Sequence, residues 1–279
     1  MVTSQKYMTL SKQNNNTGPI AHQSLSVQLA LTGHSFLITH TQTKEVLFFC
    51  ETIFEQAITP EELLTHLTQK INDTPELKNN FNNVVLIHCN DMATSVPKSL
   101  FDPQKAAEYL KFNSKILATD FIAFDQVQTQ DIITVYAPYI NINNLFFDTY
   151  GAFSYYHATT KLLDAILNGP SEPSKPKIHV HVFKDSFTCI VCKDNKLQLC
   201  NTYQYKTPED FIYYILFCYE QLGLTTETDP ITLSGHIAKD DALYALLFTY
   251  VRYINFESNS KGLQIKDTPK HQQFIISNI

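Results

Sequence analysis

Apolar and polar residues alternate through Leu25, Val27, Leu29 and Leu31, with Ser26, Gln28 and Ala30 between them. A period of two predicts a strand. Thr32-Gly33-His34 supplies a turn, residues 36–39 return as a second strand, and residues 46–50 make a third after the polar stretch 41–44. The period then changes. Leu63, Leu64, Leu67 and Ile71 recur at helical spacing behind Thr59-Pro60-Glu61-Glu62. In that tetrad a threonine hydroxyl can cap the helix, proline fits its first position and a glutamate completes a capping box. The apolar run 84–88 follows as a short buried strand, parallel to the first.

The order then repeats. Ile178, Val180 and Val182 alternate with His179, His181 and Phe183, and residues 183–186 turn the chain. Strands are expected at 187–192 and 197–203, a capped helix at Thr207-Pro208-Glu209-Asp210 carrying Phe211, Ile212, Ile215, Leu216 and Tyr219, a strand at 231–233 and a helix at 238–251. Three antiparallel strands, a helix and a crossover strand make the ribonuclease H-like order βββαβα, here present twice. The fold class is therefore α/β with α+β character: two tandem ribonuclease H-like domains. Residues 1–19 are polar and read as a flexible arm, 20–168 as the first domain, 169–176 as a proline-rich hinge and 177–279 as the second domain. Residues 96–168 exceed the template. They predict strands at 115–124 and 132–137, a helix at 142–150, a strand at 152–156 and a helix ending at 167, so part of the stretch is an insertion in domain one.

Composition narrows the function classes. Hydrophobic residues make up 44% of the chain and charged residues 17%, which fits a folded protein. The net charge of −6 argues against a direct nucleic-acid footprint. No apolar run approaches the roughly 20 residues of a membrane span, and no signal peptide is recognisable, so a cytoplasmic protein without membrane contact is expected. The six cysteines, scattered through predicted elements, read as reduced core thiols.

Two such domains around a hinge are the plan of the actin, hexokinase and Hsp70 superfamily. Leu25-Ser26-Val27-Gln28-Leu29 leading into Gly33-His34-Ser35-Phe36, together with Leu233-Ser234-Gly235-His236, resembles an uncharacterised bacterial domain-of-unknown-function family with an actin-like ATPase fold. Val135-Tyr136-Ala137-Pro138 and Tyr155-Tyr156-His157-Ala158 are also similar to actin-like pilus-assembly and secretion proteins. The resemblance implies an interdomain cleft. Active superfamily members place Asp-x-Gly at the first turn of each domain, to organise Mg²⁺ and the attacking water. Here the triplets are Leu31-Thr32-Gly33 and Phe183-Lys184-Asp185, and the adenosine-binding glycine pair is reduced to Gly235. The expectation is a catalytically inactive pseudo-ATPase, a scaffold or adaptor needing no cofactor, neither ATP nor Mg²⁺, and no metal. Its partner is an unknown protein or a second copy in a homodimer. The alternative keeps nucleotide or small-molecule binding without efficient hydrolysis, with Gly33, His34, Asp185, Ser186, Ser234, Gly235 and His236 lining the cleft.

Other candidates have structural readings. His179 and His181 share a strand face and lack a third ligand at metal-binding spacing, so they read as polar residues on a less buried face. Cys189 and Cys192 lie mid-strand on opposite faces, unlike a redox pair at a helix start. His88 and Cys89, adjacent at a strand end, diverge and do not form a nucleophilic pair; Asn90 and Asp91 read as a turn. With 15 Tyr, 19 Phe and no Trp, the aromatics outnumber what a core absorbs. Tyr213-Tyr214, just inside the second capped helix, cannot both point inward and suggest a protein-binding face.

Overall fold

A computed structural model describes residues 7–13, 22–112, 114–117, 120–168, 175–257 and 263–279. Domain one runs β1 (Tyr7–Gln13), β2 (Gln23–Ala30), β3 (Gly33–His40), β4 (Val46–Phe54), α1 (Pro60–Asp73), β5 (Asn83–His88), β6 (Ala93–Pro97), α2 (Ala106–Lys111), β7 (Ala123–Gln126), β8 (Ile132–Tyr136), α3 (Ile140–Tyr150), β9 (Ser154–His157) and α4 (Ala158–Leu167). Domain two runs β10 (Lys177–Val182), β11 (Ser186–Lys193), β12 (Lys196–Gln204), α5 (Pro208–Gln221), β13 (Ile231–Gly235), α6 (Ala242–Tyr250), β14 (Ile254–Phe256) and α7 (Phe274–Ser277).

The duplication is visible in the ladders. Sheet one is ordered β1-β4-β3-β2-β5-β9 and sheet two β12-β11-β10-β13-β14, so five strands of each follow one topology. β2 pairs antiparallel with β3 and parallel with β5, as β10 does with β11 and β13. Both helix starts carry full capping boxes: Thr59 Oγ1 accepts from Glu62 N (3.2 Å) while Thr59 N donates to Glu62 Oε2 (2.9 Å), and Thr207 and Asp210 reproduce this at 3.2 and 3.1 Å.

Three differences from the expected layout have physical causes. The backbone of Tyr7–Gln13 adds an antiparallel edge strand to β4, so this part of the arm is structured; the rest of residues 1–19, apart from 7–13, lies outside the described residues, as do hinge residues 169–174. The insertion is a separate three-stranded sheet, β6-β8-β7, with its own small core of Val96, Ala106, Leu110, Ile133 and Val135. The strand expected at 115–124 is not formed over most of that range: residues 115–117 and 120–122 carry no strand, and β7 starts only at Ala123 and runs past the expected end to Gln126, placed by pairing with β8 rather than by local propensity. Helix 238–251 begins at Ala242, where the Asp241 carboxylate turns back to accept from Ala238 N (2.7 Å).

Each sheet is covered on both faces. Leu25, Val27 and Leu29 pack under α1 and α3, and Ile178, Val180 and Val182 under α5 and α6. Between the domains lies a third core, built from Val85 and Ile87 of β5 with Cys89 just after it, Leu162, Leu163 and Ile166 of α4, Ile190 and Cys192 of β11, and Phe274 and Ile275 of α7. This shared core packs the domains against each other; one cavity opens at the ends of the strands, and a wider one of about 820 Å³ lies between the insertion and β12.

Candidate functional site

The cleft is bounded by the first hairpin turn of each domain. A cavity of about 260 Å³ opens there, walled by Leu31 and Thr32 of one turn, Phe183, Asp185 and Ser186 of the other, and Asn90, Asp91, Tyr139, Thr202 and Gln204. No lysine, arginine or histidine lines it, whereas two aspartates do. A triphosphate would meet like charge and no counter-charge. The volume also lies below the roughly 300–1,000 Å³ usual for small-molecule sites.

Two polar clasps close the cleft. Lys184 Nζ reaches across from the second turn to the carbonyl oxygens of Phe54 and Glu55, the latter at 2.6 Å. Gln204 Nε2 donates to Asp91 Oδ2 at 2.7 Å. Beneath the second turn, Tyr205 OH donates to Phe183 O (2.8 Å) and Tyr205 N to Asp185 O (3.1 Å), holding the hairpin in shape. Thus the middle position of the second turn's triplet carries a lysine engaged by backbone carbonyls of domain one. Lys184, Gln204 and Asp91 were not among the cleft residues expected from sequence. The signal for Lys184 was its place in the middle of the altered triplet.

The expected cleft residues separate into three groups. Asp185 and Ser186 line the main cavity, with Ser186 Oγ donating to Asp185 Oδ1 at 3.3 Å. Gly33, His34 and His236 border a neighbouring hollow of about 30 Å³, room for little more than a water molecule. Even there His34 turns away: its ring packs edge-on against Phe36 and Phe54 on the α1 side, and burial first, then Lys70, drives its pKa down to about 3. His236 instead faces Glu51 of domain one, Nε2 to Oε1 3.9 Å.

Ser234 and Gly235 line neither space. A Cβ on Gly235 would collide with the Val182 carbonyl, and its φ of +85° suits glycine. Gly33 likewise lacks room for a Cβ against the Thr52 carbonyl. Both glycines are explained by chain packing without any ligand.

Ser234 is fully buried in a chain of side chains. His181 Nδ1 and His179 Nε2 each lie 2.7 Å from Ser234 Oγ, and His179 Nδ1 lies 3.5 Å from Glu257 Oε2. With the carboxylate accepting from His179 Nδ1–H, the serine proton goes to His179 Nε2, and His181 Nδ1–H donates to the serine oxygen. These are the parts of a serine–histidine–carboxylate relay, yet Ser234 is 0% exposed, and a nucleophile must meet its substrate. The two histidines thus occupy a buried face, because α7 covers it: Phe274 stacks on His179 with ring centroids 5.4 Å apart.

The remaining candidates are structural. His88 and Cys89 point to opposite faces of β5, and Cys189 and Cys192 to opposite faces of β11. Burial raises the Cys89 thiol well above its usual range. Asn90 forms the expected turn, Oδ1 accepting from Met92 N (3.0 Å) and Nδ2 donating to Ala137 O (2.9 Å). Among the described residues, no cluster of three or more His, Cys, Asp or Glu side chains is arranged to hold a metal, and no helix is long and apolar enough to cross a membrane.

The sheet order, the duplicated domains and the end-of-strand cleft define an actin-like ATPase fold, and solved structures agree. A Bacteroides thetaiotaomicron protein with actin-like ATPase fold and unknown function superposes with a TM-score of 0.76 at 18% identity, covering 85% of this chain and 91% of that one. A chain of the PilM–PilN type IV pilus biogenesis complex gives 0.57 at 10% identity, covering 91% of this chain and 96% of that one. The ethanolamine utilization protein EutJ from Carboxydothermus hydrogenoformans gives 0.51 at 7%, covering 96% and 91%. Residues 12–254 match the family described as "Protein of unknown function (DUF3822)", and the chain belongs to that family. No curated protein sequence matches it.

Proposed function

We propose that this chain is an actin-fold scaffold or adaptor that works through protein contacts and does not hydrolyse ATP. The observation that carries the reading is the Lys184 clasp: the lysine of the second turn is engaged with the carbonyls of Phe54 and Glu55, while the cavity walls offer Asp91 and Asp185. Neither turn holds the Asp-x-Gly arrangement through which Mg²⁺ and an attacking water would be organised. The similarity to a chain of the PilM–PilN complex supports a role in which this fold holds another protein. A bacterial cytoplasm suits a protein of this kind whose cysteines are all free thiols.

The cavity itself favours one second reading. Its polar walls at Asn90, Thr202 and Gln204 could seat a ligand smaller than a nucleotide. Thermal-shift measurements with ATP, ADP and sugar phosphates at millimolar concentration, with and without Mg²⁺, separate the two. The scaffold reading expects no shift beyond about a degree and no phosphate release. A shift of several degrees with Mg·ATP, abolished by Ala57→Trp at the cavity rim, refutes it.

A further inference from the structure

β4 of domain one and β12 of domain two hold the same place in the shared strand order. β4 carries a further strand on its outside, β1, paired antiparallel from Tyr7 opposite Phe54 to Gln13 opposite Phe48. Among the described residues, no strand pairs with the outside of β12. Five of the nine residues of β4 are buried, and none of the nine of β12 is. An uncovered edge presents a row of backbone N–H and C=O groups without ladder partners.

Along that edge lies the cavity of about 820 Å³, inside the range of roughly 300–1,000 Å³ usual for ligand sites. It meets the strands edge-on. Residues 91–95, leading into β6, and residues 200–204 of β12 line it in unbroken runs, whereas a cavity on one sheet face would take alternate residues. Thr159 of α4 and Tyr214 of α5 line it as well, and those helices pack on opposite faces of sheet two. β6 is itself the edge of the insertion sheet, so two uncovered edges face one slot. Side chains, not ladder bonds, span it: Gln204 holds Asp91 at one end, and Ser95 stands by the Cys200 thiol at the other.

We infer that this slot docks one extended peptide segment of a partner protein, which adds as a strand to the edge of β12 as β1 adds to β4. This rests on reading the chain as a scaffold, and it names the surface that holds the partner. Strand addition is a general mode of peptide capture, in which main-chain bonds give affinity and side-chain pockets give selectivity. Because β6 closes the far side, the slot takes a single strand and not the sheet edge of a second copy. The run 200–204 is matched by about 17 Å of extended guest. Asp91 is engaged by Gln204, so Lys115 is the other charged side chain of the lining and favours a carboxylate on the guest. Tyr203 and Tyr214, stacked with centroids 4.9 Å apart, offer an apolar wall to every second guest side chain.

A display library of short random peptides, panned against the full chain, supplies the probes; fluorescence anisotropy of the enriched peptides gives their affinities. Enriched sequences should combine alternating apolar residues with a carboxylate. Thr94→Trp, which fills the slot, and Lys115→Glu at its exposed rim should each weaken binding by about tenfold or more. Backbone N-methylation of the peptide, which keeps its side chains and removes its donors, should abolish binding, and amide exchange at residues 199–204 should slow when the unmodified peptide is bound. Melting curves report whether Thr94→Trp folds; if it does not, Lys115→Glu and the N-methylated peptide carry the test. No enriched peptide, equal binding to both variants, indifference to N-methylation, protection away from 199–204, or a dimer of the chain that the peptides dissolve overturns the inference. An empty slot in a chain that ignores Mg·ATP removes this docking site and leaves the scaffold reading, whereas a response to Mg·ATP removes that reading whatever the peptides do.

Discussion

Lowering the pH from 7 to 5 should unfold this protein, and three histidines set the magnitude. His34, His88 and His157 are 5%, 0% and 1% exposed. Burial is the main cause that lowers their pKa values to about 3, 4 and 3 from the ordinary 6.5. Hydrogen-bond geometry gives the same direction independently. His88 Nδ1 accepts from Tyr139 N (3.3 Å) and His157 Nδ1 from Thr159 N (3.1 Å), so a second proton on either ring would set N–H against N–H. His34 Nδ1 is buried without a partner. A depressed folded pKa contributes stability that is fully present above the unfolded value and lost as pH falls. At pH 5 each histidine costs roughly 2 kcal/mol relative to neutral pH, and the three together roughly 6, within the ~5–15 kcal/mol of a typical fold. His179 and His181 shift in the same direction; Asp125, raised by burial, offsets part of this at the acidic end. Urea denaturation followed by circular dichroism between pH 7.5 and 4.5 should show stability falling by about 4 kcal/mol per pH unit below pH 6. His157→Asn, which keeps a side chain able to cap α4, should reduce that slope by about 1.4 kcal/mol per unit. Stability that is flat within about 1 kcal/mol from pH 7 to 5 would refute the assignment of these rings as neutral and buried.

Gly235→Ala should destabilise domain two by at least about 2 kcal/mol, from a positive φ together with collision against Val182, whereas Gly151→Ala, at φ +76° with open space around it, should cost only about 1; melting curves of the pair test this. Thr207→Ala removes a capping box and should cost about 1 kcal/mol by denaturant titration, as should Thr59→Ala. Lys184→Met removes one cleft clasp at a solvent-exposed site, so a loss of only roughly 1 kcal/mol is expected, but amide exchange at residues 54–56 should speed up measurably. Asp125 accepts from His157 N, Thr160 Oγ1 and Tyr136 OH at 2.9, 2.9 and 3.0 Å, so Asp125→Ala should cost about 2–3 kcal/mol and free the insertion for limited proteolysis.

Local rules that act within a few residues were legible in the sequence. The Thr-Pro caps, the alternation of β2 and β10 and the apolar crossover strands β5 and β13 all fall where their patterns place them. What could not be read depends on contacts made far along the chain. β6 and β7 are short strands whose sequences Ala-Thr-Ser-Val-Pro and Ala-Phe-Asp-Gln carry no strong period, and β8 between them defines both. β1, Tyr-Met-Thr-Leu-Ser-Lys-Gln, has no clean alternation, and it pairs along the edge of β4, far along the chain. His179 and His181 look like a solvent face by alternation alone. A parallel crossover strand already implies cover on both sides, and that cover is α7, 93 residues beyond His181. For the cleft, Asp185 and Ser186 were legible through the hairpin turn. Lys184's bond to a carbonyl 130 positions away was not.

The duplication serves as an internal control on which residues fold the domain and which do something else. Matching the two ladders makes Ser26 the equivalent of His179, Gln28 of His181 and Ile87 of Ser234. Domain one therefore builds the same sheet with no buried histidine–serine chain. The turns differ in the same way, Leu31-Thr32-Gly33 against Phe183-Lys184-Asp185, as do α1 and α5, polar against aromatic. Each difference is dispensable for folding, because the other copy folds without it. All three concentrate unusual chemistry in domain two, at its inner face, its cleft turn and its outer helices. The first two fasten that domain to its neighbour, through α7 and through the Lys184 clasp. Under the scaffold reading proposed above, a domain packed on one side and left with exposed rings such as Tyr213 and Phe217 on the other is where a partner would sit. Hinged closure on a ligand would need the reverse, a loose cleft between domains free to move.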